Sequence, residues 1–213
     1  ELTTNGVLLD DKRAEFLMNP VLKQVNFSLQ SFEANFPDRD NTEYLERIFR
    51  FTRRALQERP SLYINYRLWN EGAAGAQASN ERMLEKIRKG LDASFEPRGD
   101  VHHQKGVHIR GRAYIHRDVR FEWPHPSQPV RSEKGFCHGL SSHIGILADG
   151  TVVPCCLDKE GVINLGNCGS SRLTQIIDGT RAKRIRRGFK NRILIEDLCK
   201  KCTFISRFDQ PTR

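Results

Sequence analysis

The residues of this 213-residue chain best suited to chemistry are its six cysteines, the first of which is Cys137. Four of them, with one glycine, follow the pattern C-x12-G-x4-C and then C-x2-C: Cys137, Gly150, Cys155, Cys199 and Cys202. Four thiolates can close a tetrahedral zinc site or hold a 4Fe-4S cluster, and the C-x2-C pair supports either. No secretory signal opens the chain, so six cysteines fit a reducing compartment, with the cytoplasm as the expected location. There, clustered thiols bind metal more often than they pair as disulfides.

Two of the cysteines are adjacent, in "ADGTVVPCCLDKEG" at 148–161. Asp149-Gly150 tolerates the positive φ values of a two-residue type I′ turn, which predicts a hairpin between "HIGIL" and "TVVP". If extended geometry continues through Cys155 and Cys156, their side chains point to opposite faces. On that reading they do not share one metal.

The elements that must position these residues are legible from periodicity. The opening "ELTTNG" reads as the end of a strand and a turn, with a helix beginning near Asp10. Alternation predicts strands over 23–32 and 61–70, and helical spacing predicts helices over 41–57 and 80–95. The order is β-α-β-α-β-α, the signature of right-handed crossovers in a parallel sheet or barrel. Val25, Phe27 and Leu29 alternate with Asn26, Ser28 and Gln30, and Leu62, Ile64, Tyr66 and Leu68 alternate with Tyr63, Asn65, Arg67 and Trp69. A parallel strand covered on both sides is apolar on both faces. The polar face here is therefore expected to line a cavity.

Residues 98–134 lose this regularity; they are basic, hold most of the seven histidines and end in a Pro-rich stretch. A domain boundary is expected there. The reading is a partial barrel over 1–100, a connecting segment over 101–134 and a small α+β domain over 135–213, with the hairpin, short helices and the terminal C-x2-C knuckle. The formal charge is +9, from 35 basic and 26 acidic residues, and is densest in "RAKRIRRGFKNR" at 181–192. Without interleaved aromatics, this block reads as the solvated face of a helix, and no nucleic-acid partner is expected. No apolar run is long enough to cross a membrane, and none is expected to bind one.

The cysteine pattern, with "GTVVPCCLDKEGVINLGN" and "CKKC", resembles the auxiliary-cluster domain called SPASM, or twitch in its shorter form, at the C-terminus of many radical SAM enzymes. The matching residues are Cys137, Gly150, Cys155, Cys199 and Cys202. The longer form continues x5-C-x3-C, whereas the sixth position after Cys202 is Phe208. One cluster is implied rather than two. Cys156 and Cys168 fit no ligand slot of the pattern, and Cys156 is expected to be a small buried hydrophobe. "TTNG", "VNFSLQSF" and "YINYRLWN" are similar to the middle strands of the radical SAM partial barrel, whose lumen holds S-adenosylmethionine and substrate.

That resemblance implies an α/β chain, part of a parallel (β/α) barrel followed by the auxiliary-cluster domain, with the metal held by Cys137, Cys155, Cys199 and Cys202. It implies an auxiliary 4Fe-4S cluster here, and S-adenosylmethionine with a second 4Fe-4S cluster in an intact parent. The C-x3-C-x2-C motif for that second cluster is not among these residues, so a C-terminal portion of a longer oxidoreductase is expected, inactive by itself. Ser28, Arg67, Asn65 and Asn5 are expected to face one cavity and bind the cofactor, since guanidinium and hydroxyl suit its carboxylate. The implied partners are a small-molecule or peptide substrate and a reductant such as a flavodoxin or ferredoxin; no catalytic residue is singled out. Two other readings stand beside this one. The same four cysteines would also suit a zinc-stabilised module binding RNA or another polyanion, and the barrel would also suit a degenerate structural or carrier partner.

Overall fold

The computed structural model describes residues 1–73, 75–97, 101, 104–120 and 122–208. The chain forms two compact units, Glu1–Arg120 and Phe121–Arg213. Among the described residues no helix is long and apolar enough to cross a membrane.

The first unit runs β1 (Leu2–Thr4), α1 (Asp11–Leu17), β2 (Gln24–Ser28), α2 (Gln30–Asn35), α3 (Thr42–Glu58), β3 (Tyr63–Glu71), α4 (Ala76–Leu91), β4 (Gly106–Arg110) and β5 (Ala113–Val119). Its sheet has the order β1-β2-β3-β5-β4, parallel except for β4 against β5. This is the mixed α/β architecture, dominated by parallel pairing, that the alternation predicts. α1 begins where expected, and Asp10 caps it, its Oδ1 accepting the Arg13 N–H at 2.7 Å. The inward faces of β2, β3 and β5 carry Val25, Phe27, Ile64, Tyr66, Leu68 and Ile115, all buried in one core with Leu45, Ile48 and Phe49 of α3 and Ile87 of α4. A buried hydroxyl pair inside it is satisfied, since Thr52 Oγ1 and the Tyr66 hydroxyl lie 2.6 Å apart.

Two boundaries differ from the sequence reading. The strand expected over 23–32 ends at Ser28, and Gln30–Asn35 is helical. Leu29, Phe32 and Phe36 sit at helical spacing, and Phe32 stacks on Tyr44 with ring centroids 4.3 Å apart. In so short a stretch, the period of two from Leu29 is indistinguishable from the first turn of a helix. The connecting segment expected over 101–134 instead supplies the hairpin β4–β5, whose Ile115 packs in the core and whose β5 pairs in parallel with β3. Its alternation is short and His-rich, which obscures the strands.

The second unit contains an antiparallel sheet of β6 (Gly145–Ile146), β7 (Thr151–Val153) and β8 (Gly166–Asn167), then α5 (Leu173–Ile177), α6 (Thr180–Lys190), α7 (Asp197–Lys200) and a 3-10 turn over Thr203–Arg207. Its own core gathers Leu140, Ile163, Ala182, Ile185, Phe189, Leu194, Leu198 and Ile205, with Cys137 and Cys199 packed against it. The basic block forms α6, which buries Ala182, Ile185, Gly188 and Phe189 on one face. On its other face Arg181 grips Glu196 with two bonds of 3.0 and 2.7 Å.

The hairpin is where expected but its turn is different. Leu147 N–H donates to Thr151 O at 2.8 Å and Gly150 N–H to Leu147 O at 2.9 Å. Gly150 alone of the loop residues has positive φ, at 86°. The loop is therefore three residues, a turn closed by a left-handed glycine, instead of two. Asp149 selects it: its carboxylate accepts the Thr151 N–H at 2.9 Å and the Thr151 hydroxyl at 3.0 Å.

Candidate functional site

The four cysteines of the spacing pattern come from three stretches of the second unit that backbone bonds draw together. Arg131 and Ser132 N–H groups donate to Lys200 O at 2.8 and 3.1 Å, and Leu194 N–H donates to Glu133 O at 2.9 Å. The chain leading to Cys137 is thereby laid along the segment that carries Cys199 and Cys202. Past Cys137, the Leu140 N–H reaches Pro154 O at 3.2 Å, beside Cys155. Gly139 permits this closure, because a Cβ there would stand 3.1 Å from Pro154 O. Cys199 lies in α7 and Cys202 begins the 3-10 turn, joined by the Cys202 N–H to Cys199 O at 3.2 Å.

All four sulfurs are half-buried. Burial pushes every one of these thiols up, Cys155 to about 12, because the low-dielectric surroundings disfavour a thiolate. Electrostatics also tie the set together. Cys137 acts on Cys155, Cys199 and Cys202, Cys199 is raised further by Cys155, Cys137 and Cys202, and Cys156 also raises Cys137 and Cys155.

Opposing burial, nearby backbone N–H groups pull the thiols of Cys137, Cys155 and Cys202 back down. The Gly139 N–H donates to Cys137 Sγ at 3.4 Å, and the backbone at His138, at Leu157 and Asp158, and at Phe204 and Ile205 acts in the same direction on Cys137, Cys155 and Cys202. Such donors favour the thiolate over the thiol. The arrangement suits a cation, whose charge would reverse the mutual repulsion of four thiolates and release their protons. The donor set therefore fits a metal centre in its chemistry. Among the described residues, however, no group of three or more His, Cys, Asp and Glu side chains is gathered in a form that could hold a metal ion.

Cys156 and Cys168 are both exposed. The expectation of a buried Cys156 is thus wrong, and so is its premise of a continuing strand. β7 ends at Val153, and Asp158 N–H turns back onto Cys155 O at 3.3 Å. The turn, rather than strand alternation, separates the two cysteines.

The sheet of the first unit carries the other predicted residues. Ser28 and Arg67 are register partners, as are Asn26 and Asn65. Asn65 Nδ2 donates to Asn26 Oδ1 at 3.0 Å, and Asn26 Nδ2 donates to Thr3 Oγ1 at 3.1 Å and Glu1 Oε1 at 3.2 Å. Arg67 lies on this polar face, 3.6 Å from Glu1 Oε1. Asn5 stands beyond the end of β1, where its Oδ1 accepts the Val7 N–H at 3.1 Å and shapes the turn toward α1. His116, the register partner of Arg67 on β5, was missed. The alternation of "AYIHRDV" was the available signal, and it was too short to place.

Residues 137–203 match the family model of SPASM, an iron-sulfur cluster-binding domain, and so include all four cysteines of the pattern. Comparison with curated proteins finds no match. Among solved structures, the crystal structure of selenomethionine BtrN in an open conformation is similar over 92% of this chain and 80% of that chain. The identity is 14% and the TM-score 0.35.

Proposed function

With residues 137–203 matching an iron-sulfur cluster-binding domain, we propose that Cys137, Cys155, Cys199 and Cys202 hold a single 4Fe-4S cluster, the auxiliary cluster of a radical SAM enzyme. The observation that carries this is the match of residues 137–203 to an iron-sulfur cluster-binding domain, a span that contains all four half-buried thiols. When bound, such a cluster supplies an electron acceptor or a substrate anchor. The chain's own part is to offer four thiolates, exclude water from them and hold their orientation through the Leu140–Pro154 and Lys200 bonds. Cys156 and Cys168 stay outside the set.

In this proposal the polar face of β2 and β3 belongs to a (β/α) barrel wall and meets S-adenosylmethionine through Ser28, Arg67 and Asn65. The substrate is a small molecule or peptide, the electron donor a flavodoxin or ferredoxin, and the location the cytoplasm.

Anaerobic reconstitution with iron and sulfide tests the metal assignment. The expected product is brown, with about four irons and four sulfides per chain, as a cubane cluster requires. A colourless protein that retains one zinc and takes up no iron would overturn the cluster in favour of a zinc module.

A further inference from the structure

Of the 11 residues of α6, the cations Arg181, Arg184 and Arg186 already have partners. Arg181 is held by Glu196 through two bonds, Arg184 lies 3.8 Å from the same carboxylate, and the Arg186 guanidinium donates to Ile177 O at 2.6 Å. Lys183, Arg187 and Lys190 are exposed, and among the described residues their side chains form no ion pair or hydrogen bond. Their spacing, i, i+4 and i+7, sets them in one stripe along roughly 10 Å of helix.

The stability of the helix does not account for this stripe. Like charges three and four residues apart repel, and no acidic residue of α6 relieves them. Lys183 stands near the N-terminus, where the helix dipole opposes a cation. Only Arg187 and Lys190, in the last turn, gain from the dipole.

The inner face of the same helix meets the proposed metal set. Ala182, Ile185 and Phe189 are buried in the core against which Cys137 and Cys199 pack. A Cβ on Gly139 would stand 3.4 Å from Phe189 Cε2 and 3.6 Å from Cys137 Sγ, so ring and sulfur flank one narrow gap. At about 3.6 residues per turn the stripe points away from that face, and it lies roughly one helix diameter, about 10–12 Å, from Cys137.

The surroundings of the stripe select among polyanions. Nucleic-acid bases stack on exposed aromatic side chains, whereas the aromatic residue of α6, Phe189, is buried. A helix lying on a membrane presents its apolar face to the lipid, and that face of α6 is in the core. Just beyond the helix, exposed Ile193 is bridged to exposed Lys134. An apolar residue beside cations suits a protein partner.

We propose that the outer face of α6, through Lys183, Arg187 and Lys190, is the docking surface for an acidic electron-carrier protein of the flavodoxin or ferredoxin class. One electron passes from the reduced carrier to the oxidised cluster, and no bond is made or broken. The assignment rests on the iron-sulfur reading of Cys137, Cys155, Cys199 and Cys202, and adds to it the place where the donor docks.

The test uses the full chain, iron-loaded and metal-free, titrated by calorimetry with a flavodoxin of net negative charge at low and high salt. Binding to the parent chain is expected to weaken as salt rises. Lys183→Glu, Arg187→Glu and Lys190→Glu together should weaken it at least about tenfold at low salt, and the three Gln replacements by less. Lys12→Glu, Lys23→Glu and Lys159→Glu together change net charge equally and should bind nearly as the parent does. Circular dichroism and iron content should be unchanged in all three variants. If the parent takes up no iron but the metal-free chain binds flavodoxin through the stripe, the cluster reading fails and the docking surface stands. If the chain loads iron but flavodoxin does not bind, or binds the folded stripe variant as tightly as the control variant, the docking surface is wrong and the cluster reading stands. Tighter binding of oligo-uridylate or of phosphatidylserine vesicles than of flavodoxin, lost in the stripe variant alone, would likewise overturn it.

Discussion

The N–H of Leu140 donates to the carbonyl of Pro154 at 3.2 Å. One backbone bond thus brings the loop after Cys137 against the residue before Cys155. The positive φ of Leu140, 61°, turns the chain toward that carbonyl, and the same N–H also reaches His143 O at 2.9 Å. Two cysteines separated by a hairpin become neighbours through main-chain geometry, which depends little on the side chains around it.

Thiol accessibility should divide the cysteines four to two. In the iron-loaded chain, iodoacetamide followed by peptide mass mapping is expected to label Cys156 and Cys168, which are exposed, and to spare the other four. Cys156→Ala and Cys168→Ala should retain the iron, while Ala at Cys137, Cys155, Cys199 or Cys202 should remove most of it. Iron loss from Cys156→Ala with retention in Cys155→Ala would reverse the ligand assignment.

Gly188→Ala should destabilise the second unit even though Ala is the better helix former. The added Cβ would meet Ile193 O at 2.8 Å and Ile195 Cγ1 at 2.5 Å. Helix propensity would gain about 1 kcal/mol. Overpacking against a carbonyl that cannot rotate away costs about 1–3 kcal/mol, so the net effect is a loss. A lowered urea midpoint is the expected reading, with reduced iron loading because the 193–195 segment leads to the C-x2-C knuckle.

The buried hydroxyl pair in the first unit should be asymmetric. Thr52 Oγ1 is bonded both to Tyr66 and to Ile48 O, at 2.6 and 2.9 Å. Tyr66→Phe leaves Thr52 a partner, whereas Thr52→Val leaves a buried Tyr66 hydroxyl without one. The Val variant should therefore lose about 1–3 kcal/mol, and the Phe variant less. Equal losses in denaturant titrations would count against this assignment of the bonds.

Acid should loosen the hairpin through Asp149. Its hydrogen bonds from Thr151 hold its carboxyl below the ordinary 3.8. A carboxyl depressed in the folded state stabilises fully above its unfolded value and ceases to as pH falls through the folded one. The protection of the Thr151 amide, relative to its intrinsic exchange rate, should therefore fall below about pH 4 in the parent chain. Asp149→Asn should show no such step.

The sequence by itself determined the alternation of strands and helices from β1 to α4, apart from α2, and the buried faces of β2 and β3, and it supplied the four cysteines proposed as ligands. These rest on local period and on ligand chemistry, which a chain carries wherever it folds. Val25, Phe27, Ile64 and Tyr66 read as core from alternation alone, and they are buried. The amphipathic nature of 181–192 was legible for the same reason. Only the tertiary structure decided the rest. Residues 30–35 are helical because Phe32 finds Tyr44, a contact made across the intervening chain. The hairpin loop gained a residue because Asp149 bonds Thr151, and Cys156 faces solvent because β7 stops short of it. His116 joins Arg67 because a strand hidden in a His-rich stretch pairs with β3. Register is a long-range property: a single-residue shift would turn His116 to the other face, and nothing local in "AYIHRDV" records which partner it will meet.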